Sequence, residues 1–153
     1  MEPITRELVA ATAEDTRQLG VRLGRALQAG DVIALVGPLG SGKTTFAQGL
    51  AEGLDVPPDR HVASPTFALV NEHPGRVPFV HADLYRIERA EELRELGLEA
   101  GYDQAATAIE WADRFAEVIP ADHLEVTFGT AGSGRRLVAR ASGPRARALL
   151  QAW

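Results

Sequence analysis

Directly after the apolar run Val32–Val36 comes an octapeptide of the form G-x-x-x-x-G-K-T: Gly37-Pro38-Leu39-Gly40-Ser41-Gly42-Lys43-Thr44. A continuous apolar run of this length is expected for a strand covered on both faces. From Thr44 onward Phe46, Ala47, Leu50 and Leu54 recur at helical spacing until Pro57 and Pro58 end the pattern. Strand, glycine turn and helix are therefore consecutive, the context that gives this motif its physical meaning. Glycines let the loop take conformations closed to other residues, so that successive backbone N–H groups turn inward around phosphate oxygens. The helix N-terminus adds its partial positive charge. Lys43 is expected to reach the β- and γ-phosphates of a nucleoside triphosphate such as ATP, and the Thr44 hydroxyl to bind Mg2+. Thr45 can add a further hydroxyl or amide near the α-phosphate.

Composition sharpens the lysine. Of sixteen basic residues fifteen are arginine, and Lys43 is the only lysine in the chain. An ammonium is a compact point charge with three donors, whereas guanidinium is a wide planar fork, so this position requires what arginine does not supply. The absence of cysteine excludes disulfide frameworks, thiolate zinc sites and cysteine nucleophiles. A formal charge of −5 argues against a broad basic face for nucleic-acid phosphates, so any link to nucleic acid is expected to be indirect. No apolar run approaches the length of a membrane-spanning helix, and Met1 to Ala10 lacks the basic-then-apolar order of a signal peptide. A cytoplasmic protein is expected.

The remaining elements read as one α/β unit over residues 1–153. Ile4 to Val9 suits an edge strand, and Thr12 with Asp15 resembles a capping box opening a helix. That helix carries Leu19, Leu23, Ala26 and Leu27 and is expected to end at Gly30. Phe67 to Val70 and Val77 to Val80 suit two strands around Pro74-Gly75, Glu91 to Leu96 a short charged helix, and Ala105 to Ile109 an interior strand. His123 to Phe128 and Leu137 to Ala141, joined through Gly132 and Gly134, predict a terminal β-hairpin, with a closing helix from Pro144 to Trp153. The expected class is a single-domain P-loop NTPase fold, a mixed central sheet flanked by helices.

A magnesium site wants a carboxylate at the end of a neighbouring strand, and two are available: Asp83 and Glu110. Local sequence does not divide their roles. His81, a single histidine beside an apolar run, reads as structural, and His61, His73 and His123 show no zinc-type spacing. Ser64-Pro65-Thr66 suits either a loop that senses the γ-phosphate or an ordinary turn.

Taken together, GPLGSGKTTF, SPTFALVNEH, HADLYRI followed by EEL, and IEWADR occur in an order that resembles the TsaE (YjeE) family over nearly the whole chain. These are small bacterial ATPases required for the threonylcarbamoyl modification of adenosine in transfer RNA. The resemblance implies that Gly40, Ser41, Gly42, Lys43, Thr44 and Thr45 hold the phosphates and that Thr44 and Glu110 bind Mg2+. It makes Asp83 a catalytic acid beside Lys43 and Glu110, and Ser64-Pro65-Thr66 a switch-like loop. Trp111 then lies near the nucleotide or a partner surface, and the base rests against the Thr12-Ala13 region and the Gly134 turn. The implied partner is a complex of TsaB and TsaD, through which the protein meets tRNA indirectly. Three rivals share the loop: a small-molecule or nucleoside kinase, which transfers phosphate to an acceptor other than water; a GTPase, disfavoured because the guanine-reading Asn-Lys-x-Asp motif needs a lysine and the only one is in the loop; and a nucleotide-gated binding module without useful turnover.

Overall fold

The computed structural model describes residues 2–60, 62 and 69–153. Seven strands form one mixed sheet: β1 (Ile4–Ala10), β2 (Val32–Val36), β3 (Val70–His73), β4 (Phe79–Asp83), β5 (Ala106–Glu110), β6 (His123–Ala131) and β7 (Gly134–Ser142), in the order β1-β7-β6-β2-β5-β4-β3. The expected Val32–Val36 strand lies near the middle, parallel to both β5 and β6, and β4 runs parallel to β5. β6 and β7 form the expected hairpin, and β1 closes that edge antiparallel to β7. The strand expected over Phe67 to Val70 has its described part in β3, which pairs antiparallel with β4; Ser64-Pro65-Thr66 and His61 lie outside the described residues.

Both faces of the sheet are covered, as the uninterrupted apolar strands require. On one face Ile33, Leu35, Val126 and Leu137 pack under α1 (Ala13–Ala26), α2 (Lys43–Gly53) and α5 (Pro144–Ala152). On the other, Val32, Ala34 and Ile109 meet Leu93 of α3 (Ala90–Glu95), Leu98 of α4 (Leu98–Gly101) and Tyr102 of a following 3-10 turn. Thr12 caps α1, its hydroxyl accepting from the Asp15 amide at 3.1 Å. The helix stops at Ala26 rather than running to Gly30, because Asp31 builds a turn: its carboxylate accepts from the Gln28 amide at 2.7 Å, and Gly30 enters the left-handed region at φ 100°.

α1 and α2 approach more closely than leucine-lined helices allow. A Cβ on Gly20 would stand 2.3 Å from the Phe46 carbonyl oxygen, and one on Gly49 2.1 Å from that of Arg17. This contact fixes the N-terminus of α2, and hence the glycine loop, against α1.

Candidate functional site

The loop from Gly37 to Gly42 leaves the C-terminal end of β2 and enters α2, so it stands at the edge where parallel α/β sheets place their ligands. Gly42, the residue before α2, takes φ 106°, and neither a capping side chain nor an acid stands in the first turn of the helix. No acid of α2 itself therefore answers the positive pole of the helix N-terminus. From outside, Arg135 of β7 donates through Nε to the Ser41 carbonyl and through Nη2 to the Gly40 carbonyl, both at 3.1 Å. In a trans peptide the N–H opposes the C=O, so this bond turns the Gly42 amide away from the guanidinium. The Ser41 hydroxyl is buried with no hydrogen-bond partner among the described residues.

Lys43 is 4% exposed. Its ammonium donates to the Gly37 carbonyl, lies 3.5 Å from that of Pro38, and sits 3.6 Å from the centroid of the Trp111 ring. Burial pushes its pKa below the ordinary lysine value, opposed by the charges of Glu110, Asp83 and Asp113. Trp111 itself is held at φ 60°, a backbone region that non-glycine residues rarely occupy, with its amide bonded to the Leu35 carbonyl and its ring 5.0 Å from that of Tyr85. Chain direction thus changes abruptly just past Glu110, and the indole is left under the lysine.

The two candidate acids come together. Asp83 and Glu110 are register partners at the C-terminal ends of β4 and β5, and both are buried. Asp83 accepts from the Tyr85 amide at 2.9 Å. Glu110 faces α2: the Thr44 hydroxyl stands 3.5 Å from both of its carboxylate oxygens, well beyond the usual ~2.7 Å of a hydroxyl hydrogen bond. A hydroxyl and a carboxylate held apart in this way form an all-oxygen donor pair suited to a hard cation. No cluster of three acidic or histidine side chains able to hold a metal occurs among the described residues. The donor set therefore fits Mg2+, which takes few protein ligands and completes its shell with phosphate and water, and does not fit a fully protein-caged ion.

One cavity of about 490 Å3 joins these groups. Its lining includes Ala13, Gly40, Ser41, Gly42, Lys43, Thr44, Thr45, Asp83, Glu110, Trp111 and Gly134 among the expected site residues. Gly134 has a packing reason of its own, since a Cβ there would lie 2.4 Å from the Ala10 carbonyl oxygen. Three residues escaped the sequence reading. Arg135 and Tyr85 line the same cavity, and His81, read as structural, places Nε2 2.6 Å from a Glu110 oxygen. For His81 a signal existed, because it precedes Asp83 by two and so shares its face of the strand. Arg135 and Tyr85 carried none beyond lying within two residues of Gly134 and Asp83.

The sheet order and the glycine loop between its central strand and α2 define a P-loop NTPase fold. A family model described as threonylcarbamoyl adenosine biosynthesis protein TsaE matches residues 10–138. A relative named tRNA threonylcarbamoyladenosine biosynthesis protein TsaE from Nostoc sp. is 42% identical over 135 residues, covering 83% of this chain and 81% of that one. Its namesake from Bacillus subtilis is 38% identical over 125 residues, covering 80% and 77%. The crystal structure of Bacillus subtilis YdiB superposes with a TM-score of 0.83 at 29% identity, over 99% of this chain and 95% of that one. The chain belongs to the TsaE family.

Proposed function

We propose that this protein binds Mg-ATP in the cavity at Gly37 to Thr45 and hydrolyses it to ADP and phosphate, as an accessory to threonylcarbamoyladenosine formation in tRNA. One observation carries the reading: Lys43, Thr44, Asp83 and Glu110, from three separate elements, converge at the open N-terminus of α2. Family membership supports the place in tRNA modification. The net charge of −5 supports action through protein partners, a TsaB–TsaD complex, over direct grasp of RNA. No helix among the described residues is long and apolar enough to cross a membrane, in keeping with work in the cytoplasm.

In this mechanism the loop amides and the α2 N-terminus bind the phosphates, and the Ser41 hydroxyl supplies one more donor. Thr44 and Glu110 would hold Mg2+, which would supply neutralisation of the negative charge on the phosphates. Lys43 exchanges its contact with the Gly37 carbonyl for phosphate oxygens and stabilises the charge that develops on them. Asp83 accepts a hydrogen bond from the attacking water and aligns it with the γ-phosphorus, opposite the bond to the ADP oxygen that breaks. The end of the cavity between Thr12-Ala13 and Gly134 takes the base, through backbone groups.

Phosphate release measured with the protein alone, and then with purified TsaB and TsaD from the same source, tests the reading. Slow release alone and faster release with the partners is the expected result. ADP formed only when a nucleoside or sugar acceptor is added makes the protein a kinase, and no turnover under any condition makes it a binding module.

A further inference from the structure

His81 is fully buried in β4 and bonds one of the two residues assigned to the metal. Its strand partner across the rung is Ala108, also fully buried and too small to block the imidazole from leaning two residues along β5 to Glu110. The Nε2 to Oε2 distance is 2.6 Å. A carboxylate only accepts, so the proton of this bond belongs to Nε2. Phe79 lies against the imidazole at 6.0 Å between ring centroids and 15° between planes, which limits ring rotation. Glu110 is thus held at one oxygen by His81, while the Thr44 hydroxyl stands 3.5 Å from both of its oxygens.

We infer that His81 is a positioning residue for the divalent cation. By donating Nε2–H to Glu110 Oε2 it fixes the rotamer of that carboxylate and leaves Oε1 directed, with Thr44 Oγ1, at one shared ion. The inference rests on the magnesium reading of the site and adds to it a residue that touches neither cation nor nucleotide. Partners of this kind, which orient a ligand through one hydrogen bond, typically change metal affinity by about 10- to 100-fold when removed.

The experiment is a Mn2+ titration by electron paramagnetic resonance on the full chain with a non-hydrolysable ATP analogue, run beside binding of the analogue in chelator. His81→Leu is expected to weaken Mn2+ by about 10- to 100-fold while analogue affinity without metal stays within about twofold. His81→Gln, whose amide nitrogen donates at a similar reach, is expected to recover most of the loss. If the leucine variant does not fold, His81→Asn replaces it, being polar but too short to reach Glu110. Native Mn2+ affinity in the leucine or asparagine variant overturns the inference, as does a glutamine variant no better than leucine. Native Mn2+ affinity in Glu110→Gln has a different meaning: it removes the metal reading itself, and the role of His81 with it.

Discussion

Asp83 and Glu110 share one rung of the parallel ladder between β4 and β5, so two buried carboxylates stand side by side in the cavity beside the glycine loop. Like charges at such a spacing need compensation, and the sole lysine of the chain is placed to give it: both acids oppose the fall in its pKa. Their contacts nevertheless differ. Glu110 is turned toward Thr44 and His81, whereas Asp83 is tied to the amide of Tyr85 two residues on.

That asymmetry predicts separable defects. Glu110→Gln is expected to lose metal-dependent tightening of nucleotide binding. Asp83→Asn is expected to keep Mg-nucleotide affinity and lose turnover by about 100-fold or more, within the usual range for removing a proton-handling side chain. Calorimetry with and without Mg2+, paired with single-turnover phosphate release, checks both; exchanged phenotypes would reverse the assignment.

Lys43 predicts a failure of conservative replacement. Its ammonium fits between the Gly37 carbonyl and the Trp111 face, a space that suits a compact charge. Lys43→Ala is expected to lower nucleotide affinity by about 100-fold, the upper range for a charged hydrogen bond. Lys43→Arg is expected to rescue little of it. Arginine binding as tightly as lysine in calorimetry would sink the idea that the shape of the cation matters.

How much of this was legible follows from which signals are local. β2 and α2 lay within a residue of their expected limits because an apolar run, a glycine turn and a helical stripe are contiguous in the chain. The glycine turn between them was legible for the same reason. The division between Asp83 and Glu110 was not, since it depends on the register of two strands separated by over twenty residues and on helix α2 above them. Arg135 reaches the loop across 94 positions of sequence, and no local pattern marks it. α4, only four residues long, offers too few turns for a period. Gly20 and Gly49 acquire meaning only once α1 and α2 are known to touch.

Those two glycines carry a stability prediction. At Gly49 an added methyl meets the Arg17 backbone oxygen at 2.1 Å, and no side chain can swing away to admit it. Gly49→Ala therefore has to push the helices apart, at a cost of about 1–3 kcal/mol or more. In a domain of this size that corresponds to roughly 2–12 °C in Tm. A thermal melt unchanged within a degree or so would show that α1 and α2 separate freely.

His73 predicts how stability responds to acid. The imidazole is buried beside Phe79, 6.1 Å between ring centroids, with Nδ1 3.4 Å from an Arg60 nitrogen, which makes Nδ1 the acceptor. Burial first, then the charges of Arg60 and His81, hold its pKa below the ordinary 6.5. The sign follows from linkage: below 6.5 the unfolded chain takes up a proton that the folded chain resists, so stability falls as pH drops from 6.5 toward the depressed folded value. One such group contributes a slope of at most about 1.4 kcal/mol per pH unit in that window, and nothing above it. His73→Leu removes the titrating group, so its urea midpoints between pH 7 and 5 are expected to fall less steeply than those of the native chain, whatever the offset at pH 8. Parallel profiles for the two proteins would assign the acid sensitivity to other groups.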